Sequence, residues 1–287
     1  MQRSLVGSEM CIRDRRNTWV GINAYTTLAE GNNGASGVYN CKNGCLINKP
    51  VSTENNLDKN IGAVADFAKS IDAPTTVMLV PSTGYIADDV LPTFHDKYND
   101  DEDISRISST LSKNKIGFVD LRERFKSEYK NGSQLYYKTD HHWTTKGAYT
   151  GYQELCKALG ITPIDDSTLK KDSYPDFYGT TYSSSGFWLT PPDNIEIWSN
   201  PNNSSKNISV KITEGANIKT SGSMYFTDHL KEDDKYPVFI DGNHALTEIT
   251  NTNAKNGTIL LIKDSFSHSL APVSYTHLRA HETTLHL

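Results

Sequence analysis

The sequence has no excess of basic residues, and this absence argues against one class of partner. Its 287 residues include 29 Lys and Arg against 34 Asp and Glu, which gives a formal net charge of −5 and a pI near 6.0. Binding to nucleic acid draws on clustered Lys and Arg side chains that neutralise phosphates. We therefore expect no nucleic-acid partner.

Long hydrophobic runs are also missing. The longest apolar stretches have the length of a β-strand, well short of the roughly 20 residues that a membrane-spanning helix needs. A secretion signal or anchor ahead of this sequence would leave no trace in it, so membrane association stays open. With 36% hydrophobic and 10% aromatic residues, the chain can bury a core as one large domain or as a domain with an insertion.

Cysteine is scarce, and its placement predicts neither a disulfide nor a zinc site. Three of the four cysteines, Cys41, Cys45 and Cys156, lie beyond the N-terminal segment. The Asn-Gly pair between Cys41 and Cys45 predicts a two-residue hairpin turn. That register places Cys41 opposite Leu46 and points the two thiols to opposite faces, which disfavours a disulfide. No second Cys or His pair stands at zinc-ligand spacing.

The two ends of the sequence encode each other's complement. Residues 10–14 can be encoded by ATGTGTATAAGAGAC, and the reverse complement of that string translates as Val-Ser-Tyr-Thr-His, the sequence of residues 273–277. Such ends resemble the translated adaptor of transposon-based sequencing libraries. We therefore expect residues 1–15 and 273–287 to be adaptor-like tails that are exposed and poorly ordered, and we expect no catalytic role for their histidines.

Between these ends, helical and strand patterns alternate. Apolar residues at helical spacing predict helices over 56–71, 103–113, 122–129 and 148–159, the last of which ends before Gly160. Apolar runs predict strands over 75–80, 116–121 and 134–137. This alternation is typical of a parallel α/β sheet, in which ligands bind beyond the carboxyl ends of the strands.

A change of composition separates a middle segment from the rest. Ser, Asn, Thr and Pro become common over 165–256, where short β-like runs occur at 195–198, 209–213 and 237–241. We interpret this segment as a β-rich insertion, a laterally packed subdomain or a lid. The predicted organisation is an α/β part over 16–164, the insertion over 165–256, and the returning strand and turn of the α/β domain over 257–272.

An acid/base pattern stands at residues 139–147, which read Thr-Asp-His-His-Trp-Thr-Thr-Lys-Gly just before a predicted helix. Asp140 and His142 are two residues apart, so in an extended segment their side chains share a face while His141 points the other way. This spacing favours His142 as a general base that Asp140 holds in its tautomer, with His141 as the second choice.

A serine that such a base can activate follows an apolar strand predicted over 258–263. Ser265 stands between that strand and a predicted helix, whose free N–H groups would stabilise an oxyanion. Ser267 and the serines at 183–185 are weaker candidates for the nucleophile. The residues together predict a Ser-His-Asp esterase, because the geometry of a triad defines it and the order of its members does not.

Each part of this pattern also has a simpler interpretation. A strand followed by Asp-Ser is common in α/β proteins, where Asp264 or Ser265 caps the next helix. Trp143 fits a hydrophobic core, and the aromatic residues over 177–188 fit packing more readily than a platform for sugars. A metal site built from His and Asp lacks a clear third ligand nearby, so we expect no metal.

Four motifs resemble the bacterial DHHW proteins. They are Tyr-Tyr-Lys-Thr-Asp-His-His-Trp-Thr at 136–144, Gly-Ala-Tyr at 147–149, Phe-Tyr-Gly-Thr at 177–180 and Lys-Asp-Ser-Phe at 263–266. That family is similar to the SGNH-hydrolase-like domains of the alginate O-acetyltransferases, in which an Asp-X-His-Trp motif and a later Ser form a triad in permuted order. The resemblance covers most of 16–272 and implies a three-layer, flavodoxin-like parallel sheet with a β-rich insertion.

Carried over position by position, the resemblance implies Asp140 as the orienting carboxylate, His142 as the base and Ser265 as the nucleophile. Lys263 departs from the family pattern, which has glycine at that position. Weaker candidates for substrate binding or for the oxyanion hole are His141, Trp143, Tyr178, Gly179 and Asn243.

The function that we expect is that of a serine esterase or O-acetyltransferase acting on a bacterial cell-surface or extracellular glycan. It would form an acyl-Ser265 intermediate and need no metal or organic cofactor. Its expected partners are a carbohydrate or acyl-ester substrate and, for a transferase, an acetyl-donor protein, in the cell envelope or outside the cell. The alternative is a catalytically inactive, SGNH-like carbohydrate-binding protein, favoured by Lys263 and by the end of the chain soon after Ser265.

Overall fold

The computed structural model describes residues 18–52, 56–202, 206–254 and 257–274, together with the backbone of 279–284. No helix in these ranges has the length and apolar character that crossing a membrane requires. The helices are α1 (18–29), α2 (Leu57–Ser70), α3 (Thr83–Ile86), α4 (Asp100–Lys113), α5 (Arg122–Lys130), α6 (Thr145–Leu159), α7 (Thr180–Ser185) and α8 (Ser267–Ser274). The strands are β1 (Gly34–Ala35), β2 (Val38–Asn40), β3 (Leu46–Asn48), β4 (Thr76–Leu79), β5 (Gly117–Asp120), β6 (Lys170–Phe177), β7 (Asp193–Ser199), β8 (Ile208–Glu214), β9 (Asn217–Ser221), β10 (Leu246–Asn251), β11 (Thr258–Lys263) and β12 (Arg279–Thr284).

The N-terminal half alternates strands and helices as the sequence pattern predicts. β4 and β5 pair in parallel, with Thr76 opposite Gly117. Apolar side chains of α2 and α4 pack beside this pair, where buried Ile61 and Leu111 meet Val77. The predicted mixed α/β class is confirmed, although the parallel sheet formed by β4 and β5 has only these two strands.

Helix α6 lies against the main core and presents the acid/base segment at its start. The Thr144 hydroxyl caps its first turn by accepting the Gly147 N–H at 3.1 Å. Gly160 ends the helix with a left-handed φ of 67°, the conformation that favours glycine at this position. The buried face of α6 packs with Trp143 and with Leu270 of α8 in one cluster. Packing thus joins the helix after the histidines to the helix after Ser265.

The strand predicted over 134–137 is limited to one isolated bridge, between Tyr136 and Trp143. The chain here closes on the start of α6 instead of extending into a sheet. The Gln134 carbonyl accepts the Thr144 hydroxyl at 2.7 Å, and the Leu135 carbonyl accepts the Thr144 N–H at 2.8 Å. These bonds use backbone groups that a sheet partner would otherwise take.

The predicted insertion contains the strands β6 to β10, and the expected strands near 195–198 and 209–213 are confirmed as β7 and β8. The strand expected at 237–241 is wrong. A short 3-10 turn occupies Tyr236–Val238, and Ile240 and Asp241 follow with φ of 51° and 65°. Pro237 cannot donate a ladder hydrogen bond, and left-handed residues do not continue a strand.

The turn between Cys41 and Cys45 uses three residues, so the two-residue register predicted for it is wrong. Asn40 pairs with Leu46, and the Cys41 N–H donates to the Cys45 carbonyl at 2.9 Å. Asn43 and Gly44 provide two left-handed positions, with φ of 59° and 69°. The two cysteines therefore face each other across the strands as free thiols, and the reason given against a disulfide does not hold.

The expectation of an exposed, unpacked C-terminal tail is wrong where the structure describes that tail. Val273 and Ser274 are 2% and 6% exposed within α8, because the helix that follows Ser265 continues its buried face into them. The backbone of 279–284 forms β12, which pairs with β11 on one side and β10 on the other. An unpaired strand edge readily accepts such a neighbour. Residues 1–15, 275–278 and 285–287 lie outside the described residues.

This pairing also sets the surroundings of the strand that leads to Ser265. β11 runs parallel to β12 in a five-stranded sheet whose order is β11-β12-β10-β8-β9. It therefore shares a sheet with strands of the predicted insertion and pairs with neither β4 nor β5. The division of the chain at 256 and 257 stays a prediction.

His268 in α8 is a buried titratable group whose protonation opposes folding. Its side chain is 2% exposed, and its Nε2 has no hydrogen-bond partner among the described residues. Burial, with the charges of Lys263 and His142, lowers its pKa from 6.5 to about 2. Between these values the unfolded chain binds a proton that the folded chain excludes. The free energy of unfolding therefore falls as the pH drops below 6.5, by at most ~1.4 kcal/mol per pH unit.

We predict that His268→Gln flattens this pH dependence. Urea unfolding followed at several values between about pH 5 and 7 should show a smaller slope for the variant than for the wild type. His95→Gln is the matched control, because His95 is exposed and should leave the slope unchanged. Equal slopes for His268→Gln and the wild type would contradict the prediction.

Candidate active site

Asp140 lies in a bend, and that bend brings it to His142. Its carboxylate is buried, with the residue 1% exposed. Oδ1 accepts the backbone N–H of His142 at 3.0 Å, the turn in which an Asp side chain bonds the amide two residues on. The Thr180 N–H donates to Oδ2 at 3.2 Å. Asp140 therefore contacts His142 through an Asx turn. The two side chains do not share the face of a strand, contrary to the prediction from their spacing.

Three side chains from two distant segments are aligned around His142. Its Nδ1 lies 2.8 Å from Asp140 Oδ1, and its Nε2 lies 2.7 Å from Ser265 Oγ, although 123 residues separate His142 from Ser265. An ionised Asp140 fixes the tautomer in which Nδ1 carries the proton and Nε2 accepts. The half-buried Ser265 hydroxyl then donates to Nε2. The structure thus brings together the three residues that the sequence singled out.

The charge of Asp140 is maintained by its neighbours. Burial alone would raise the pKa of this carboxyl, but the hydrogen bond and charge of His142 and the charge of His141 outweigh burial and hold the pKa below its usual range. Asp140 is therefore ionised at neutral pH. An ionised carboxylate only accepts hydrogen bonds, which is what orienting the His142 Nδ1–H requires.

His141 lies beside His142, so the expectation that it points away is wrong. The bend at 140–142 places successive side chains on one side. The two imidazole rings are 3.9 Å apart, and His141 Nδ1 lies 3.2 Å from Asp140 Oδ1 and 2.9 Å from Thr180 Oγ1. Burial and the charge of His142 lower the His141 pKa. With 37% of its side chain exposed, His141 offers a neutral polar surface next to the base.

Tyr236 supports both His142 and the serine turn, and sequence reasoning missed it. Its ring stacks on the His142 imidazole at 4.0 Å and 11°. Its hydroxyl donates to the Ser265 carbonyl at 3.0 Å. The residue is 5% exposed, so it is held in place by packing. In the sequence only a turn-forming Tyr-Pro pair marks this position, and that pair gives no hint of a neighbouring base.

Trp143 is a core residue, and its prediction as a substrate contact is wrong. Its side chain is fully buried, and the indole N–H donates to the Phe266 carbonyl at 2.7 Å. A ring that fills the space between α6 and α8 cannot also meet a ligand at the surface. Its hydrogen bond instead holds the turn that carries Ser265.

Two other candidates have no direct link to these residues. The half-buried Tyr178 packs against Tyr182 with ring centroids 4.5 Å apart, and Asn243 is exposed in the loop before β10. Among the described residues, no hydrogen bond joins either one to Asp140, His142 or Ser265. Their roles in substrate binding stay predictions.

Gly179 supports Asp140 and is not free to bind an oxyanion. Its N–H donates to the Thr139 hydroxyl at 3.3 Å. A Cβ added at Gly179 would lie 2.2 Å from Asp140 Oδ2, a distance that no side chain tolerates. Glycine is therefore required here by close approach to the carboxylate.

The turn after Ser265 offers fewer free amides than expected. The Phe266 N–H donates to Asp264 Oδ1 at 3.1 Å, and the Ser267 N–H donates to the Asp264 carbonyl at 3.2 Å. Asp264 therefore caps the turn, as the simpler interpretation proposed. Among the described residues the Ser265 N–H has no acceptor, so this amide is free to meet the oxyanion that forms on a carbonyl attacked by Ser265 Oγ.

A metal is a second use for the same side chains. Asp140, His141 and His142 form a group whose possible ligand atoms lie within 4.8 Å of one another, so His141 supplies the third ligand that the sequence left unclear. Both Nδ1 atoms lie against Asp140 Oδ1. A metal between these atoms would replace the hydrogen bond that orients His142, so the two uses exclude each other.

Comparisons with known proteins agree with this fold. Residues 47–175, which include Asp140 and His142 but not Ser265, match the family described as the SGNH hydrolase-like domain of the acetyltransferase AlgX. A DHHW family protein from Eubacterium siraeum DSM 15702 aligns with a TM-score of 0.69 at 17% identity, covering 87% of this chain and 82% of that one. No curated protein matches the sequence.

Two further solved structures align as well. Bacillus cereus PatB1, solved with a sulfonyl adduct, has a TM-score of 0.66 at 18% identity over 86% of this chain and 85% of its own. The O-acetyltransferase domain of Pseudomonas putida AlgJ has a TM-score of 0.54 at 13% identity over 87% and 80%. The resemblance to DHHW proteins and to SGNH-hydrolase-like acetyltransferase domains is confirmed, and the SGNH-like fold with it.

Gly179→Ala should damage both the fold and the base. The new methyl group would overlap the Asp140 carboxylate, so we expect a loss of about 1–3 kcal/mol in the free energy of unfolding. Gly62→Ala in α2 is the matched control. A Cβ there meets nothing within 4 Å, and alanine in a helix interior gains up to ~1 kcal/mol over glycine. Equal melting temperatures for Gly179→Ala and the wild type would refute the close approach.

Proposed function

We propose that this SGNH-hydrolase-like protein is a serine acyltransferase or esterase that moves an acyl group to or from a glycan hydroxyl. One observation supports the proposal above all others. Ser265 Oγ and Asp140 Oδ1 lie 2.7 and 2.8 Å from the two nitrogens of one imidazole, the arrangement that activates a serine hydroxyl.

The first half of the reaction forms an acyl-serine. Ser265 Oγ attacks the carbonyl carbon of the acyl donor while its proton moves to His142 Nε2. The carbonyl oxygen becomes an oxyanion, and we propose the Ser265 N–H as a donor to it. When the oxyanion collapses, the bond from carbon to the leaving oxygen breaks, and His142 returns its proton to that oxygen. Asp140 stays ionised and stabilises the transient imidazolium.

The second half releases the acyl group by the same steps in reverse. A hydroxyl of the acceptor gives its proton to His142 Nε2 and attacks the carbonyl carbon of the acyl-serine. The bond between that carbon and Ser265 Oγ breaks, and Oγ takes the proton back from His142. A glycan hydroxyl as acceptor gives O-acetylation, and water gives hydrolysis.

We further propose that the acyl acceptor is a glycan in the cell envelope. It is supported by the similarity to the O-acetyltransferase domain of AlgJ and to the acetyltransferase AlgX domain family. The His141 side chain is 37% exposed and lies beside His142, where we propose that a polar acceptor approaches. For a transferase, we further propose an acetyl-donor protein as partner.

Hydrolysis of p-nitrophenyl acetate tests the nucleophile. We predict that Ser265→Ala lowers the turnover by about 10³-fold or more, because the attacking oxygen is removed. Ser173→Ala, at an exposed position in β6, is the control and should match the wild type. Unchanged turnover in Ser265→Ala would contradict the proposal.

The same assay distinguishes the alternatives. Turnover that a chelator abolishes and zinc restores would favour the metal at Asp140, His141 and His142. A wild type that binds cell-wall polysaccharide but hydrolyses no ester would favour the binding protein.

Labelling with phenylmethylsulfonyl fluoride gives a second test that needs no substrate. Ser265 Oγ should attack the sulfur and release fluoride while His142 takes the proton, leaving one sulfonyl group per chain. Peptide mass spectrometry should find the group on Ser265 in the wild type. His142→Gln should remain unlabelled, since the hydroxyl then has no base. A label on another serine, such as Ser183, would assign the nucleophile elsewhere.

A further inference from the structure

Asp193, the first residue of β7, is a buried carboxylate directly behind the segment that carries Asp140. The residue is 4% exposed. Its Oδ2 accepts the Thr139 N–H at 2.8 Å, the Thr139 hydroxyl at 2.7 Å and the Lys138 N–H at 2.9 Å. Its Oδ1 accepts from Gln134 Nε2 at 3.0 Å. No Lys or Arg among the described residues forms an ion pair with it, so backbone and side-chain donors balance its charge.

These bonds fix the two residues that precede Asp140. Asp193 holds the N–H groups of Lys138 and Thr139. The Leu46 N–H donates to the Lys138 carbonyl at 2.8 Å, and the Tyr182 N–H donates to the Thr139 carbonyl at 2.9 Å. Lys138 and Thr139 are therefore each held both at the N–H and at the carbonyl. The direction in which the chain enters residue 140 follows from this arrangement.

We propose that Asp193 is a positioning residue for the reaction, acting through Thr139 on Asp140 and so on His142. This role rests on the proposed function. Two adjacent backbone N–H groups and one hydroxyl converge on its Oδ2, and an acceptor without protons is the group that satisfies all three. An asparagine there presents an N–H₂ group or a single oxygen to the same donors, so part of the set is left without a partner.

The surroundings of Asp193 allow this role to be separated from a general contribution to stability. Asp193 lines a cavity of about 560 Å³ that Lys138 and Thr145 also line, and neither Asp140, His142 nor Ser265 borders it. Removal of the carboxylate therefore leaves the Thr139 donors facing a space that a small carboxylate ion can enter. Formate is the ion of matching size and charge.

The kinetic test compares Asp193→Asn, Asp193→Ala and Leu111→Ala on p-nitrophenyl acetate. We expect kcat to fall by about 10²-fold in both Asp193 variants, with KM little changed, because a displaced base lowers turnover without removing a substrate contact. Formate should restore part of the kcat of Asp193→Ala and none of that of Asp193→Asn. Leu111→Ala removes a buried side chain from the cluster between α2 and α4, and it should lower the melting temperature while keeping kcat.

A magnetic-resonance measurement makes the result independent of turnover. The proton between His142 Nδ1 and Asp140 Oδ1 is shielded from water, as the His142 side chain is 5% exposed, and should give a low-field resonance. That resonance should shift or broaden in Asp193→Asn and stay in place in Leu111→Ala. If the wild type has no esterase activity, the proposed function is wrong. The comparison of the resonance in Asp193→Asn and Leu111→Ala still tests whether Asp193 positions Asp140 and His142. Wild-type kcat and an unchanged resonance in Asp193→Asn would overturn the inference, as would an equal kcat loss in Leu111→Ala.

Discussion

The site depends on the burial of one charge, the carboxylate of Asp140. A buried carboxylate is costly unless protein donors replace the water it has lost. Asp140 receives the backbone N–H of His142, the N–H of Thr180 and the Nδ1–H of the His142 imidazole. Two of these three donors belong to His142, so the contacts that compensate for burial also orient its imidazole. The same hydrogen bonds therefore stabilise the charge of Asp140 and align His142 toward Ser265. Glycine at position 179 leaves the space that the Asp140 carboxylate occupies.

A second carboxylate extends this arrangement to the rest of the fold. Asp193 binds the N–H groups that precede Asp140, and Asp140 binds the N–H groups that follow it. Among the described residues neither carboxylate is paired with Lys or Arg. The loop is thus positioned by fixed backbone dipoles, which do not need flexible side chains to be ordered and which salt screens less than it screens exposed ion pairs. Because β3, α7 and β7 all bond to residues 138–140, this loop is located where three elements meet.

Much of the site could be predicted from the sequence because its parts are local. The Asp140 and His142 pair lies within one turn of chain, and the end of α6 follows from Gly160. The reason given for the pair was nevertheless incorrect. A shared strand face would exclude His141, whereas the Asx turn places both imidazoles on the side of Asp140. Spacing alone could not separate the two geometries, since each brings residues two positions apart together.

The remaining parts could not be predicted because they come from other segments through packing. Asp193 is 54 residues from Thr139, and Tyr236 is 29 residues from Ser265. Neither contact leaves a periodic pattern or a characteristic spacing in the sequence. The apolar pattern of β11 likewise indicates a strand without indicating its neighbour, and the structure pairs it with β12. Chemistry restricts the residue types at Asp140, His142 and Ser265, which makes them recognisable. The residues that hold them need only the correct shape and donors in the correct place, and the folded structure alone identifies those.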